Sequence, residues 1–113
     1  MLKNIYGSGL GLRRSFMSEL LEQESKLSMP DFFEVAPENW IGMGGRYKAQ
    51  LAAYSERFPL VAHGLSLSIG GLKALDIEFI NNIKTFIQHH DIKCYSEHLS
   101  YTGDEGHLYD LLP

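Results

Sequence analysis

Short apolar runs alternate along this chain with longer segments in which apolar residues recur every three to four positions. The short runs are typical of buried strands and the longer segments of amphipathic helices. The pattern predicts strands over residues 5–12, 31–36, 60–63 and 92–98. It predicts helices over residues 14–26 and 45–58, and a third that runs from an Asp76 N-cap to His89 and His90. We expect these two histidines to suit the negative end of the helix dipole rather than to bind metal.

Strands that alternate with helices predict α/β structure with a parallel sheet. A closed (β/α)8 barrel typically takes about 250 residues, whereas this chain has 113. We therefore predict one partial domain over residues 1–113, the first half of such a barrel with about four strands and three helices. A doubly wound sheet stays open as an alternative, although GSGLGLRR lacks the third glycine of the dinucleotide-binding fingerprint.

Charge and hydropathy exclude several classes of partner. The net charge is −4 and the ten Lys and Arg are scattered, so we expect neither nucleic acid nor a membrane surface as a partner. The start, MLKNIYGSG, lacks an apolar signal core, and no apolar stretch approaches the roughly 20 residues that span a bilayer. These features predict a cytoplasmic protein. Cys94, the single cysteine, is expected to serve in packing.

Two histidines stand at the ends of predicted strands, His63 in LVAHGLSLSIGG and His98 in YSEHLSY. Neighbouring parallel strands lie about 4.8 Å apart, so imidazoles that leave equivalent strand ends can share an ion at about 2.1 Å from each nitrogen. The alternative for each residue is a polar cap hydrogen-bonded to a loop. A ligating His63 would need a partner for its other ring nitrogen, for which Ser66, Ser68 or a loop carbonyl are candidates.

Carboxylates and an amide stand at the same strand ends. They are Glu34, Glu38 and Asn39 around the second strand and Glu97 on the fourth. Imidazole mixed with carboxylate suits iron, zinc or manganese. An ion pair within the sheet layer is the other reading for Glu34, and loop capping is the other reading for Glu38 and Asn39. Strand alternation places Glu97 and His98 on opposite sides, and we expect His98 to face the barrel interior.

Five segments in order carry a resemblance to a known family: GLGLR, FFEVAPENWIGMGG, PLVAHGLSLSIGG, YSEHLSY and HLYDLLP. The chain resembles the N-terminal half of the multinuclear non-haem iron-dependent oxidases, long catalogued as a domain of unknown function. The resemblance implies a xylose-isomerase-like barrel that binds two or three iron ions and oxidatively rearranges cysteines of ribosomally made peptides. It also implies a partner protein that presents the peptide.

The resemblance implies roles for particular residues. His63 and His98 match positions of iron-binding histidines, and Glu38 and Asn39 match a motif at the rim of the site, where they would contact ligands or substrate. Glu34 and Glu97 join them as candidates of the same kind, and no catalytic residue is assigned. The family's remaining ligands belong to the second half of the barrel, so the site here is incomplete.

Two hypotheses follow. In the first, the chain is part of an iron-dependent peptide-modifying oxidase, inactive without the second half of the barrel. In the second, it is a non-catalytic half-barrel that pairs with a second copy into a homodimer and at most binds metal.

Overall fold

The computed structural model describes residues 5–101, 103–104 and 107–108 of the chain. The principal elements alternate as predicted: β1 Gly9–Gly11, α1 Arg14–Glu22, β2 Phe32–Val35, α2 Gly45–Arg57, β3 Leu60–Gly64, α3 Ile77–His89 and β4 Cys94–Glu97. A 3₁₀ turn at Pro37–Asn39 follows β2. A short antiparallel pair, β5 Gly103–Asp104 and β6 His107–Leu108, follows β4, where the sequence pattern predicted no strand. The rest of the HLYDLLP segment lies outside the described residues.

The four main strands form one parallel sheet in the order β1-β2-β3-β4. The order is sequential and does not reverse, so the described sheet lacks the switch point of a doubly wound fold. That alternative is therefore wrong. Four parallel strands joined by three helices are the arrangement expected for half of a (β/α)8 barrel, which confirms the predicted fold class.

Several predicted elements are shorter in the structure, β1 and α1 most of all. β1 spans three residues where we predicted a strand over residues 5–12. α1 ends at Glu22, and the chain then turns, with the Lys26 amide donating to the Gln23 carbonyl at 2.8 Å. Leu27 lies beyond that turn and is 50% exposed.

One face of the sheet packs against the helices. Phe33, Val35, Leu60 and Ala62 point to this face and are at most 2% exposed. They form the core with helix residues that include Met17, Leu51, Tyr54 and Phe86. The Phe33 ring meets the Tyr54 ring edge-on, with centroids 5.2 Å apart.

The other face of the sheet is not covered by a helix in the described part of the chain. The register aligns Glu34 with Val61 and His63 with Ser96. Because alternate residues of a strand share a face, Glu34, His63 and Ser96 all lie on this uncovered face. Glu34 and Ser96 are exposed and His63 is half-buried, so the face on which a barrel interior would form is open.

The ends of α3 agree with the sequence in part. The Asp76 side chain accepts a hydrogen bond from the Phe79 amide at 3.0 Å, which confirms the predicted N-cap. At the other end, His90 is buried, and burial, His89 and Lys48 lower its pKa. A lowered pKa disfavours the charged imidazole, which is the form that the negative end of the helix dipole would stabilise. No helix in the described part of the chain has the length and apolarity needed to cross a membrane.

Candidate metal site

His63 and His98 leave the same end of the sheet and lie side by side. Their ring centroids are 5.7 Å apart and the ring planes are inclined by 58°. His63 belongs to β3, and the His98 amide donates to the Gly64 carbonyl at 2.9 Å, just beyond the end of β4. Backbone pairing between the two strands therefore fixes the spacing of the two rings.

Ser96 holds the ring of His63 from the neighbouring strand. The register places these residues opposite each other, and His63 Nδ1 lies 2.8 Å from Ser96 Oγ. The hydrogen bond occupies Nδ1 and leaves Nε2 as the available ligand atom. We had expected Ser66, Ser68 or a loop carbonyl in this role, and that expectation is wrong. Ser96 was missed because the sequence does not state which residue of β4 faces His63.

The spacing of the two rings fits a shared metal ion. An ion about 2.1 Å from a ring nitrogen lies about 3.2 Å from the ring centre, so two imidazoles that share an ion have centroids no more than about 6.4 Å apart. The observed separation of 5.7 Å lies within this limit. Among the residues that the structure describes, no further His, Cys, Asp or Glu joins them in a group of three potential ligands. Two imidazoles alone would fill only part of the coordination sphere of a metal ion.

Glu38 binds the loop that follows His63. Its Oε2 accepts hydrogen bonds from the Leu65 amide, the Ser66 amide and the Ser66 hydroxyl, each at 2.8 Å. The 3₁₀ turn after β2 carries Glu38 to this position. The other carboxylate oxygen, Oε1, is buried and has no hydrogen-bond partner among the described residues. Glu38 thus supports the loop after His63 through Oε2, while Oε1 accepts no hydrogen bond from the described residues.

Glu97 supports the same loop from the opposite side. Its Oε1 accepts a hydrogen bond from the Leu67 amide at 3.3 Å, and its Oε2 accepts one from the Tyr95 hydroxyl. Burial, followed by the hydrogen bond to Glu97, raises the pKa of Tyr95 above its usual range. Gly64 leaves room for this arrangement, since a Cβ there would overlap the Glu97 carboxylate. Three successive amides after Gly64 therefore bind two carboxylates from flanking segments.

The remaining two candidates do not contact the histidine pair. The side chain of Glu34 is on the uncovered face, and the backbone of Glu34 is in register with Val61, two residues before His63. Asn39 uses its backbone carbonyl, which accepts a hydrogen bond from Arg14. The Arg14 guanidinium also stacks on Trp40 and Tyr47, 4.8 and 4.9 Å from the ring centroids. Asn39 therefore lies in a contact that joins the start of α1 to the 3₁₀ turn after β2.

Curated relatives match nearly all of this chain. A UPF0276 protein of Acinetobacter baylyi is 56% identical over 112 residues, which cover 99% of this chain and 38% of the relative. Its counterpart in Alcanivorax borkumensis is 54% identical over 112 residues, covering 96% of this chain and 38% of the relative. A UPF0276 protein of Pseudomonas aeruginosa is 50% identical over 109 residues, which cover 96% of this chain and 38% of the relative. The chain thus spans less than two fifths of the length of these relatives.

The family match extends over both histidine-bearing strands. The model of the RiPP precursor modification enzymes MbnB/TglH/ChrH, which act on ribosomally made peptides, matches residues 7–113. The matched range includes the four strands of the parallel sheet, the His63–His98 pair and the two carboxylates, Glu38 and Glu97, that bind the loop after β3. This chain belongs to the MbnB/TglH/ChrH family of peptide-modifying enzymes, the multinuclear non-haem iron-dependent oxidases.

Proposed function

We propose that this chain supplies the first two metal-binding histidines, His63 and His98, of an iron-dependent oxidase that modifies cysteines in a ribosomally made peptide. The complete site would hold two or three iron ions. The observation that carries the proposal is the pair of strand-end rings 5.7 Å apart, with His63 Nδ1 bonded to Ser96 and Nε2 available. The family match supports a peptide as the substrate.

Each residue of the site has a distinct part in the proposal. His63 and His98 would hold iron as neutral imidazoles, and Ser96 would keep the His63 ring in its ligating orientation. Glu38 and Glu97 would keep the loop after β3 closed around the histidine end of that strand. Iron, when bound, would supply the oxidation chemistry with dioxygen. The open face of the sheet would admit a cysteine side chain of the peptide to the histidine end.

The rest of the site would come from beyond these residues. Two imidazoles leave most of a coordination sphere empty, so the remaining ligands would lie in the further part of the relatives' length. Oxidation would therefore need that part of the barrel. A partner protein would present the peptide. We place the reaction in the cytoplasm, where peptide thiols stay reduced.

Iron content tests the ligand assignment directly. We expect the anaerobically purified chain to retain iron, and His63→Ala and His98→Ala each to lower the iron per chain several-fold without loss of the circular dichroism of the fold. His89→Ala is the matched control because His89 is exposed on α3, away from the uncovered face. Equal iron in the wild type and in the double variant His63→Ala/His98→Ala would refute the assignment.

A second candidate function rests on the uncovered sheet. In the described structure β1 and β4 are the two edges of the sheet, and the face that carries His63 is open. Two copies could cover these faces mutually in a homodimer that binds metal without turnover. Light scattering separates the candidates, because a stable dimer of this chain favours the non-catalytic one, whereas a monomer that retains iron through His63 and His98 favours the first.

A further inference from the structure

A second candidate site lies on the helix-covered side of the sheet. A cavity of about 500 Å³ opens between the loop after β2 and helices α2 and α3. Its volume falls within the range of small-molecule sites, roughly 300 to 1,000 Å³. His63 points to the opposite face of the sheet, so this cavity is separate from the histidine pair.

The floor of the cavity is apolar and well packed. Trp40, Leu51 and Phe86 line it, and they are 5%, 1% and 7% exposed. All three belong to the hydrophobic core, which holds the floor in place when no ligand is bound. Ile41 and the exposed Met43 also line the cavity, and an apolar body placed against them would leave water for a preformed apolar surface.

The ionisable groups of the cavity are all bases. Lys48 from α2 lines one side, and His89 and His90 from the end of α3 line another. The described lining residues include no Asp or Glu. Burial, then the charges of His89 and Lys48, lower the pKa of His90. Asn82 and Thr85 add uncharged hydrogen-bonding groups.

We propose that this cavity binds a small carboxylate with an apolar body, such as a medium-chain fatty acid. The apolar part would lie against Ile41, Met43 and the edge of Trp40, and the carboxylate would pair with the Lys48 ammonium. An anion at this position forms charge-assisted hydrogen bonds with the Lys48 ammonium. A neutral ligand with the same body gains only the apolar contact.

Trp40 allows binding to be measured without a label, because it is the single tryptophan of the chain and lines the cavity. Octanoate is the probe and octanamide, which has the same body without the charge, is the comparison. We expect octanoate to change the Trp40 emission saturably and to bind at least about ten-fold more tightly than octanamide. Calorimetry of the same titration provides a readout that does not depend on Trp40.

The charge contribution is tested with paired lysine variants. Lys48→Gln should remove most of the preference for octanoate over octanamide, and its fold should persist because Lys48 is exposed on α2. Lys84→Gln is the matched control, since Lys84 is exposed on α3 and does not line the cavity. Equal affinities for the two probes in the wild type, an unchanged preference in Lys48→Gln, or no binding by either method would overturn the proposal.

Discussion

His63 Nδ1 and Ser96 Oγ lie 2.8 Å apart across β3 and β4. The bond is made on the open face of the sheet, beside the ring of His98. It orients an imidazole that would otherwise rotate about its χ torsions, and it leaves Nε2 as the free nitrogen. On the proposed function, this contact preorganises His63 as a metal ligand.

Removal of the Ser96 hydroxyl should weaken metal binding without unfolding the sheet. On the proposed function, Ser96→Ala lowers iron affinity about 10- to 100-fold. This range is typical when a residue that hydrogen-bonds to a metal-binding histidine is removed. Ser96→Thr keeps the hydroxyl and suits a strand, so it should restore most of the affinity. A chelator competition titration measures all three proteins. Identical affinities for wild type and Ser96→Ala would show that the bond does not contribute to metal binding.

Glu38 should contribute to stability through the loop after β3. Glu38→Ala leaves the Leu65 and Ser66 amides without their acceptor, and we expect the free energy of unfolding to fall by about 1 to 3 kcal/mol. Glu34→Ala is the control, because Glu34 is exposed and changes there typically stay within about 0.5 kcal/mol. Urea unfolding of both variants checks the difference. A loss no larger for Glu38→Ala than for Glu34→Ala would contradict the support role.

Gly64 should not accept a side chain. A Cβ at this position overlaps the Glu97 carboxylate and approaches the Tyr95 hydroxyl, so Gly64→Ala displaces the group that binds the Leu67 amide. We expect a loss of about 1 to 3 kcal/mol in the free energy of unfolding. A Cβ at Gly11 meets no heavy atom within 4 Å, so Gly11→Ala on β1 should be close to neutral. Thermal denaturation compares the two, and equal melting temperatures would refute the steric argument.

Tyr54 should make the fold sensitive to alkaline pH. Its hydroxyl donates to the Met17 carbonyl at 2.7 Å, and burial, with Glu24 nearby, raises the pKa of Tyr54 to about 12. A tyrosine in the unfolded chain ionises near pH 10. The contribution is therefore complete below about pH 10, and the free energy of unfolding falls by about 2 to 3 kcal/mol as the pH rises to about 12.

Tyr54→Phe isolates this contribution. The variant should be less stable at neutral pH, because the Met17 carbonyl loses its donor, and its stability should decline less steeply above pH 10. Tyr6→Phe is the control because Tyr6 is 73% exposed. Urea midpoints at several pH values measure the slopes. Parallel curves for wild type and Tyr54→Phe would show that Tyr54 does not cause the alkaline loss.

The sequence alone determined the elements and their order. Period-two and period-3.6 patterns depend only on the geometry of strands and helices, so the four strands and three helices could be placed without a structure. The Asp76 N-cap could also be predicted, because it depends only on a hydrogen bond between residues three positions apart. The predictions differed from the structure at the ends of elements, where turns and packing override the pattern. α1 ends at Glu22 rather than at residue 26, and β1 spans Gly9–Gly11 rather than residues 5–12.

The sequence also placed His63 and His98 at strand ends, but only the tertiary structure decided what surrounds them. Strand register, which no local pattern records, brings Ser96 to His63. The 3₁₀ turn brings Glu38 to a loop 27 residues along the chain, and the gap between α2 and α3 creates the second cavity. Each of these relationships joins segments that are distant in sequence. They depend on how elements pack together, which the pattern within one segment does not contain.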